Sequence, residues 1–137
     1  MKQHAVVVGA GLAGLASAIS LSLSGWRVTV LERSATLQEV GAGFAMSRNA
    51  VAAFRGLGFD DGAVAALGAP TWASGTWTAQ GKPLMTVQQT PSTQLIGVHR
   101  RRLHQMLHRR ADDLGVEIIT ESPVTALQPG APGEDPA

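Results

Sequence analysis

VVVGAGLAG, residues 6–14, is an apolar β-branched run that breaks into closely spaced glycines, and this pattern indicates the fold. The run HAVVV at residues 4–8 is short and bounded by glycine, which is typical of a buried parallel strand. LAGLASAISLSLSG then places apolar residues near helical spacing before Gly25, and WRVTVLE returns to a strand pattern. Strand, helix and strand within about thirty residues predict a βαβ unit.

The glycines lie where such a unit needs them. We expect Gly9 to form the tight turn out of the strand, Gly11 to let the backbone approach a pyrophosphate, and Gly14 to allow close packing of helix on strand. The helix N-terminus directs unpaired N–H groups at the phosphates. Glu32 closes the second strand and is placed to accept hydrogen bonds from a ribose. The pattern predicts a dinucleotide site and leaves FAD and NAD open, because both present the same adenosine diphosphate.

Composition excludes several classes of function. The 137 residues suit one domain, and 11 basic against 10 acidic residues give a net charge of +1, which argues against nucleic-acid or membrane-surface binding. The absence of cysteine excludes disulfides and thiolate chemistry. Glycines interrupt the first apolar stretch and no long apolar helix follows, so we expect a soluble, cytoplasmic protein. His104 and His108 have metal-compatible spacing but no evident third ligand, so we expect no metal site.

Three segments carry a family resemblance: GAGLAGLASAISLSLSGWRVTVLER, EVGAGFAMSRNAVAAFRGLGF, and VHRRRLHQML at residues 98–107. Together they resemble the opening of the FAD-dependent aromatic hydroxylases, single-component flavoprotein monooxygenases that include salicylate- and urate-hydroxylase-like enzymes. The second segment discriminates best, since ordinary NAD dehydrogenases lack V-G-A-G there. The resemblance implies FAD as cofactor, NADH or NADPH as reductant, and hydroxylation of an aromatic or heteroaromatic small molecule.

The resemblance also assigns roles to individual residues, all of them in cofactor binding and none catalytic. It implies that the glycine loop and the first N–H groups of the helix hold the pyrophosphate, that Glu32 holds the adenosine ribose with Arg33 beside it, and that the Val40–Gly43 loop with Ala45 runs beside the flavin. It places Arg100 at the cofactor and the main chain of Val124 near adenine. The complete set is Gly9, Gly11, Leu12, Ala13, Gly14, Glu32, Arg33, Gly43, Ala45, Arg100 and Val124.

Two helices follow from local patterns. In the helix after Val98, apolar residues at helical spacing form a stripe that we expect to be buried: Leu103, Met106, Leu107, Ala111 and Leu114. Arg100 lies three residues before this stripe begins, so we expect it to emerge on the core side and suit a phosphate contact. Earlier in the chain, Arg48 stands where relatives often have proline. We interpret it as a solvated first-turn residue of a helix capped by Ser47.

These patterns divide the chain into an incomplete α/β, Rossmann-like FAD-binding domain at residues 1–69 and 95–128, and an inserted β-hairpin at residues 70–94. The hairpin, with its turn around Gln80-Gly81, would begin the substrate-domain sheet. We expect Trp72 and Trp77 to pack within that sheet. The proline- and glycine-rich residues 129–137 predict a disordered tail or linker.

The chain lacks the later flavin-contacting motifs of the resembled family, which predicts an N-terminal piece: a truncated gene, a split protein or a fragment. Two other functions stay open at this point. One is an NAD(H)-binding module, and the other is a non-catalytic remnant that needs a partner chain. An incomplete sheet would leave an unpaired edge, so association with a partner chain or with further copies is expected.

Overall fold

The computed structural model describes residues 3–37 and 41–127, and it has a mixed α/β architecture. In chain order the elements are β1 (His4–Val8), α1 (Leu12–Leu23), β2 (Arg27–Leu31), β3 (Gly43–Met46), α2 (Arg48–Gly56), α3 (Asp61–Leu67), β4 (Gly68–Trp72), β5 (Gly75–Trp77), β6 (Pro83–Thr86), β7 (Gln94–His99), α4 (Arg100–Asp113) and β8 (Glu117–Ile119).

The predicted βαβ unit is confirmed as β1, α1 and β2. Strands β1 and β2 pair in parallel, with Val6 opposite Thr29, and β8 adds to the far side of β2 in the order β1-β2-β8. Gly25 follows α1 with a φ of +90°, a backbone conformation that glycine adopts without strain. The chain therefore returns to the sheet directly after the helix.

One face of this parallel sheet is covered by helices. Helix α1 packs against β1, β2 and α4, and the side chains of Leu15, Ile19 and Val30 are fully buried between these layers. The expected stripe on α4 faces the same core: Leu103, Leu107 and Ala111 are buried, and Met106 and Leu114 are partly buried. The core thus fixes the carboxyl ends of β1 and β2 relative to α4.

A second, antiparallel sheet has the order β3-β7-β4, with α2 and α3 in the connection between β3 and β4. Arg48 is the exposed first residue of α2, as expected. The expected cap is not formed. Ser47 occupies the N-cap position, but its hydroxyl donates to Asn49 Oδ1 and makes no cap hydrogen bond to the backbone, because the neighbouring side chain supplies a competing acceptor.

The predicted hairpin is present as β5 and β6, which pair antiparallel, and Gly81 in the connection has a φ of +82°. It is narrower than expected: residues 70–72 belong to β4, which pairs with β7. Strand alternation does not identify the pairing partner, which explains the difference. Trp72 and Trp77 lie in strands β4 and β5 and are 39% and 43% exposed, so their packing in this chain is partial.

The final described segment contains one strand, β8, followed by irregular chain through Pro123 to Leu127. The expected tail at residues 129–137, residue 128 of the proposed domain and Val40 of the proposed flavin loop lie outside the described residues. Within residues 3–37 and 41–127, no helix has the length and apolar character needed to cross a membrane.

Candidate dinucleotide site

The turn between β1 and α1 has the conformation that its glycines predict. Gly9 has a φ of +95°, in the region that favours glycine, and its N–H donates to the carbonyl oxygen of Leu31 at 2.8 Å. This bond ties the start of the turn to the end of β2. Gly11 follows as the N-cap residue of α1. The chain therefore passes from strand to helix in three residues, 9–11.

Gly14 is required by close packing. A Cβ atom on Gly14 would lie 1.8 Å from the carbonyl oxygen of Gly9, a separation that no side chain tolerates. The first turn of α1 thus lies directly against the backbone of the preceding loop, as the spacing of glycines predicts. The N–H groups of Leu12, Ala13 and Gly14 belong to this first turn, where helix geometry provides no intrahelical acceptor.

Glu32 connects the end of β2 to this turn. Its Oε2 atom accepts a hydrogen bond from the N–H of Ala10 at 2.7 Å, and its Oε1 atom accepts one from the N–H of Ser34 at 2.9 Å. The N–H group of Ala10 makes the largest contribution to holding the pKa of the Glu32 carboxyl below its ordinary value, and the N–H group of Ser34 acts in the same direction. Partial burial opposes both by raising the pKa. Glu32 is therefore a carboxylate at neutral pH with a fixed orientation.

A cavity of about 250 Å³ lies at this point, beyond the carboxyl ends of β1 and β2. Open α/β sheets bind ligands at this end of their strands. The volume is smaller than that of most small-molecule pockets, so it suits one portion of a dinucleotide. Its lining residues are Ala10, Gly11, Glu32, Arg33, Ser34, Thr36, Leu37 and His104.

His104 is the residue of this cavity that sequence reasoning missed. Its side chain is 4% exposed, and its Nε2 atom lies 2.8 Å from the carbonyl oxygen of Ala10. His108, one turn later on α4, has a different partner, with its Nδ1 atom 3.5 Å from Asp112 Oδ2. A usable signal existed in the sequence, because positions 104, 107 and 111 share helical spacing with the buried stripe.

The remaining expected residues lie elsewhere in the fold. The cavity lining described above does not include Gly43, Ala45, Arg100 or Val124. Gly43 and Ala45 are exposed residues of β3, opposite His99 and Gly97 of β7, so this segment is strand where a loop was expected. Strand β7 supplies the hydrogen-bonding partner that local sequence does not reveal.

Arg100 is the first residue of α4, and its side chain is exposed, in contrast to the expected core-side position. Its aliphatic carbons lie against Gly41: a Cβ atom on Gly41 would be 2.8 Å from Arg100 Cδ. The structure therefore brings Arg100 next to the segment that leads into β3. Val124 is an exposed residue of the irregular chain after β8.

The strand-turn-helix geometry, the close approach at Gly14 and the carboxylate at the end of β2 define a dinucleotide-binding α/β domain. Comparison with known proteins identifies the particular family. The family model described as FAD binding domain matches residues 2–137, and the chain belongs to this family.

Individual relatives agree with this assignment. The chain is 33% identical over 131 residues to the FAD-dependent monooxygenase OpS4 of Beauveria bassiana, covering 90% of this chain and 31% of that protein. It is 36% identical over 122 residues to the 2-heptyl-3-hydroxy-4(1H)-quinolone synthase of Mycobacteroides abscessus, covering 87% of this chain and 32% of that protein.

A solved structure shares the fold. The tetrameric form of 2-methyl-3-hydroxypyridine-5-carboxylic acid oxygenase matches with a TM-score of 0.71 and 32% sequence identity, covering 88% of this chain and 32% of that chain. The chain thus spans about a third of the length of the relatives that it matches. Its fold matches that of the FAD-binding domain of FAD-dependent monooxygenases.

Proposed function

We propose that this chain binds the adenosine diphosphate half of FAD at the cavity beside Glu32, as part of an NAD(P)H-dependent monooxygenase that hydroxylates an aromatic or heteroaromatic small molecule. The observation that carries the proposal is the Glu32 carboxylate, fixed by two backbone N–H groups at the rim of a glycine turn. When bound, FAD supplies the electron transfer and oxygen activation that protein side chains do not provide.

Glu32 retains the capacity to bind a ribose. Each carboxylate oxygen accepts about two hydrogen bonds, and each oxygen of Glu32 receives one from the backbone. The remaining lone pairs are available to the vicinal hydroxyl groups of a ribose, and Glu32 and Arg33 both line the cavity. A fixed orientation limits the entropy that the side chain loses on binding.

The glycine turn and the N-terminus of α1 would hold the pyrophosphate of the cofactor. A Cβ atom on Gly9 would meet nothing within 4 Å, so the turn leaves room for the pyrophosphate at this residue. Gly14 lets the first turn of α1 pack against the turn, and Gly11, Leu12 and Ala13 present backbone at the helix N-terminus, where N–H groups bind phosphate. The roles of Gly43 and Ala45 beside the flavin, of Arg100 at the cofactor and of Val124 near adenine rest on the family resemblance. They are part of the same proposal.

The substrate class and the reductant also rest on relatives. A matched relative is named as a quinolone synthase, and the matched structure is of an enzyme that acts on a carboxylated hydroxypyridine. Both names describe nitrogen heterocycles, which supports a heteroaromatic substrate for the complete enzyme. NADH or NADPH as reductant follows from the resemblance to aromatic hydroxylases.

The test is a titration of the purified chain with FAD, followed by flavin fluorescence, with Glu32→Gln as the variant. Gln keeps the shape of the side chain but lacks the charge and one acceptor, so we expect the FAD Kd to rise about tenfold or more. The matched control is Glu117→Gln, which changes a carboxylate of the same sheet that accepts from Thr29 and lies outside the cavity lining.

Three results decide the proposal. Saturable FAD binding that Glu32→Gln weakens and Glu117→Gln does not supports it. Binding of NADH with no binding of FAD would replace it with the NAD(H)-module function. A folded chain that binds neither dinucleotide would contradict it.

A further inference from the structure

His104 makes a long-range contact to the cofactor turn. It lies on α4 and reaches across to Ala10, which is 94 positions earlier in the chain and is also buried. A carbonyl oxygen only accepts hydrogen bonds, so the Nε2 atom of His104 carries the proton and donates to Ala10. The contact therefore joins the helix that packs on α1 to the loop that leads into α1.

Ala10 is held through both of its backbone polar groups. Its N–H donates to Glu32 and its carbonyl oxygen accepts from His104, at 2.7 Å and 2.8 Å. Its neighbours are Gly9 and Gly11, the residue type with the greatest conformational freedom. The glycines make the turn sterically accessible, but they do not select one conformation. The two hydrogen bonds to Ala10 restrict the middle of the turn, as the bond from the Gly9 N–H to Leu31 restricts its start.

We propose that His104 is a positioning residue for the cofactor: its hydrogen bond to Ala10 fixes the glycine turn in the conformation that receives the pyrophosphate. This inference rests on the proposed function, because it assigns a role in the same site. His104 acts through Ala10, and the proposal requires no contact between the imidazole and the cofactor.

The consequence of removing the donor is specific. Without His104 Nε2, the buried carbonyl oxygen of Ala10 has no hydrogen-bond donor. An unsatisfied buried carbonyl costs free energy, which favours turn conformations that expose it to water. FAD binding must then restore the original conformation, which lowers the apparent affinity. We expect an increase of about tenfold in the FAD Kd, the effect of losing one such hydrogen bond.

The experiment compares His104→Leu with His104→Gln in the complete chain, using FAD fluorescence titration and the melting temperature of the ligand-free protein. Leu fills the site without a donor, whereas the amide nitrogen of Gln substitutes for Nε2. We expect His104→Leu to raise the FAD Kd about tenfold and His104→Gln to stay within about threefold of the unmodified chain.

Two control variants separate affinity from stability. His108→Leu changes the same residue type one turn later on α4, outside the cavity lining, and should leave the FAD Kd unchanged. Leu107→Ala removes a buried core side chain, so it should lower the melting temperature without changing the Kd of the folded protein. Equal Kd values for His104→Leu and the unmodified chain, or equal losses for the Leu and Gln variants, would overturn the proposal.

A separate measurement distinguishes failure of this inference from failure of the proposed function. If the unmodified chain does not bind FAD, the proposed function fails, and hydrogen exchange of the Ala10 amide decides the role of His104. Faster exchange in His104→Leu than in the unmodified chain and His104→Gln supports the positioning role. Equal exchange in all three proteins overturns it.

Discussion

Glu32 shows how one residue joins local geometry to cofactor chemistry. The backbone N–H groups of Ala10 and Ser34 lower its pKa and also fix the direction of its carboxylate. A carboxylate that is stabilised in the folded state contributes to stability only while it is ionised. Glu32 therefore links the stability of the glycine turn to pH.

We expect this contribution to disappear in acid. Because the folded-state pKa of Glu32 is lowered, its contribution is fully present above the ordinary carboxyl pKa and is lost as pH falls through the folded-state pKa. The unfolding free energy of the unmodified chain minus that of Glu32→Gln should thus be constant near neutrality and shrink as the pH falls below the ordinary carboxyl pKa of about 4.3. Urea unfolding at several pH values measures it. A difference that grows on acidification would contradict the prediction.

At the level of helices and strands, the N-termini of α2 and α3 show that a residue type favoured at the N-cap does not always form the capping hydrogen bond. Asp60 is the N-cap residue of α3, and its Oδ1 atom accepts from the N–H of Ala63 at 2.8 Å. Ser47 holds the same position at α2 but makes no such bond. Serine and aspartate are both favoured at helix N-caps, and only the side-chain conformation distinguishes the two positions.

We expect Asp60→Ala to lower the unfolding free energy by about 1 kcal/mol, because a helix N–H loses its acceptor. Ser47→Ala is the matched comparison and should cost less than about 0.5 kcal/mol, because no cap hydrogen bond is lost. Denaturant unfolding of both variants tests the pair. Equal losses from the two variants would contradict the prediction.

Elements also differ in how far the sequence predicts them. The βαβ unit, the buried stripe of α4 and the hairpin at Gly81 follow from periodicity and turn chemistry, and all three are confirmed. The pairing of β4 with β7, the strand character of Gly43 and Ala45 and the partial exposure of Trp72 were not predicted. Each depends on pairing between segments that are far apart in sequence, and local patterns do not encode the partner.

At the scale of the whole molecule, the parallel sheet has two unlike faces. One is covered by α1 and α4, whereas the other exposes Val6 at 56%, Val8 at 59% and Ile119 at 40%. These three residues share a face because the strand registers align them. In the described part of the chain, no element packs over them and no strand pairs with the outer edge of β1.

An uncovered apolar sheet face favours association. We expect the isolated chain to self-associate as its concentration rises, and the double variant Val6→Thr with Val8→Thr to reduce this association while keeping β-branched strand residues. Analytical ultracentrifugation measures the effect. Leu84→Thr, a change at an exposed position of the hairpin, is the control and should leave association unchanged. A monomer at all concentrations would refute the prediction.

The order of strand, turn and helix is predictable from the amino-acid sequence alone, and so is the residue that closes the second strand, Glu32. Glycine conformation, hydrophobic period and helix termini are local properties, so they are readable within about thirty residues. The pairing of β8 with β2 and the contact between His104 and Ala10 follow only from the tertiary structure. Those contacts depend on how packed elements meet in three dimensions, and packing joins residues whose separation along the chain carries no local signal.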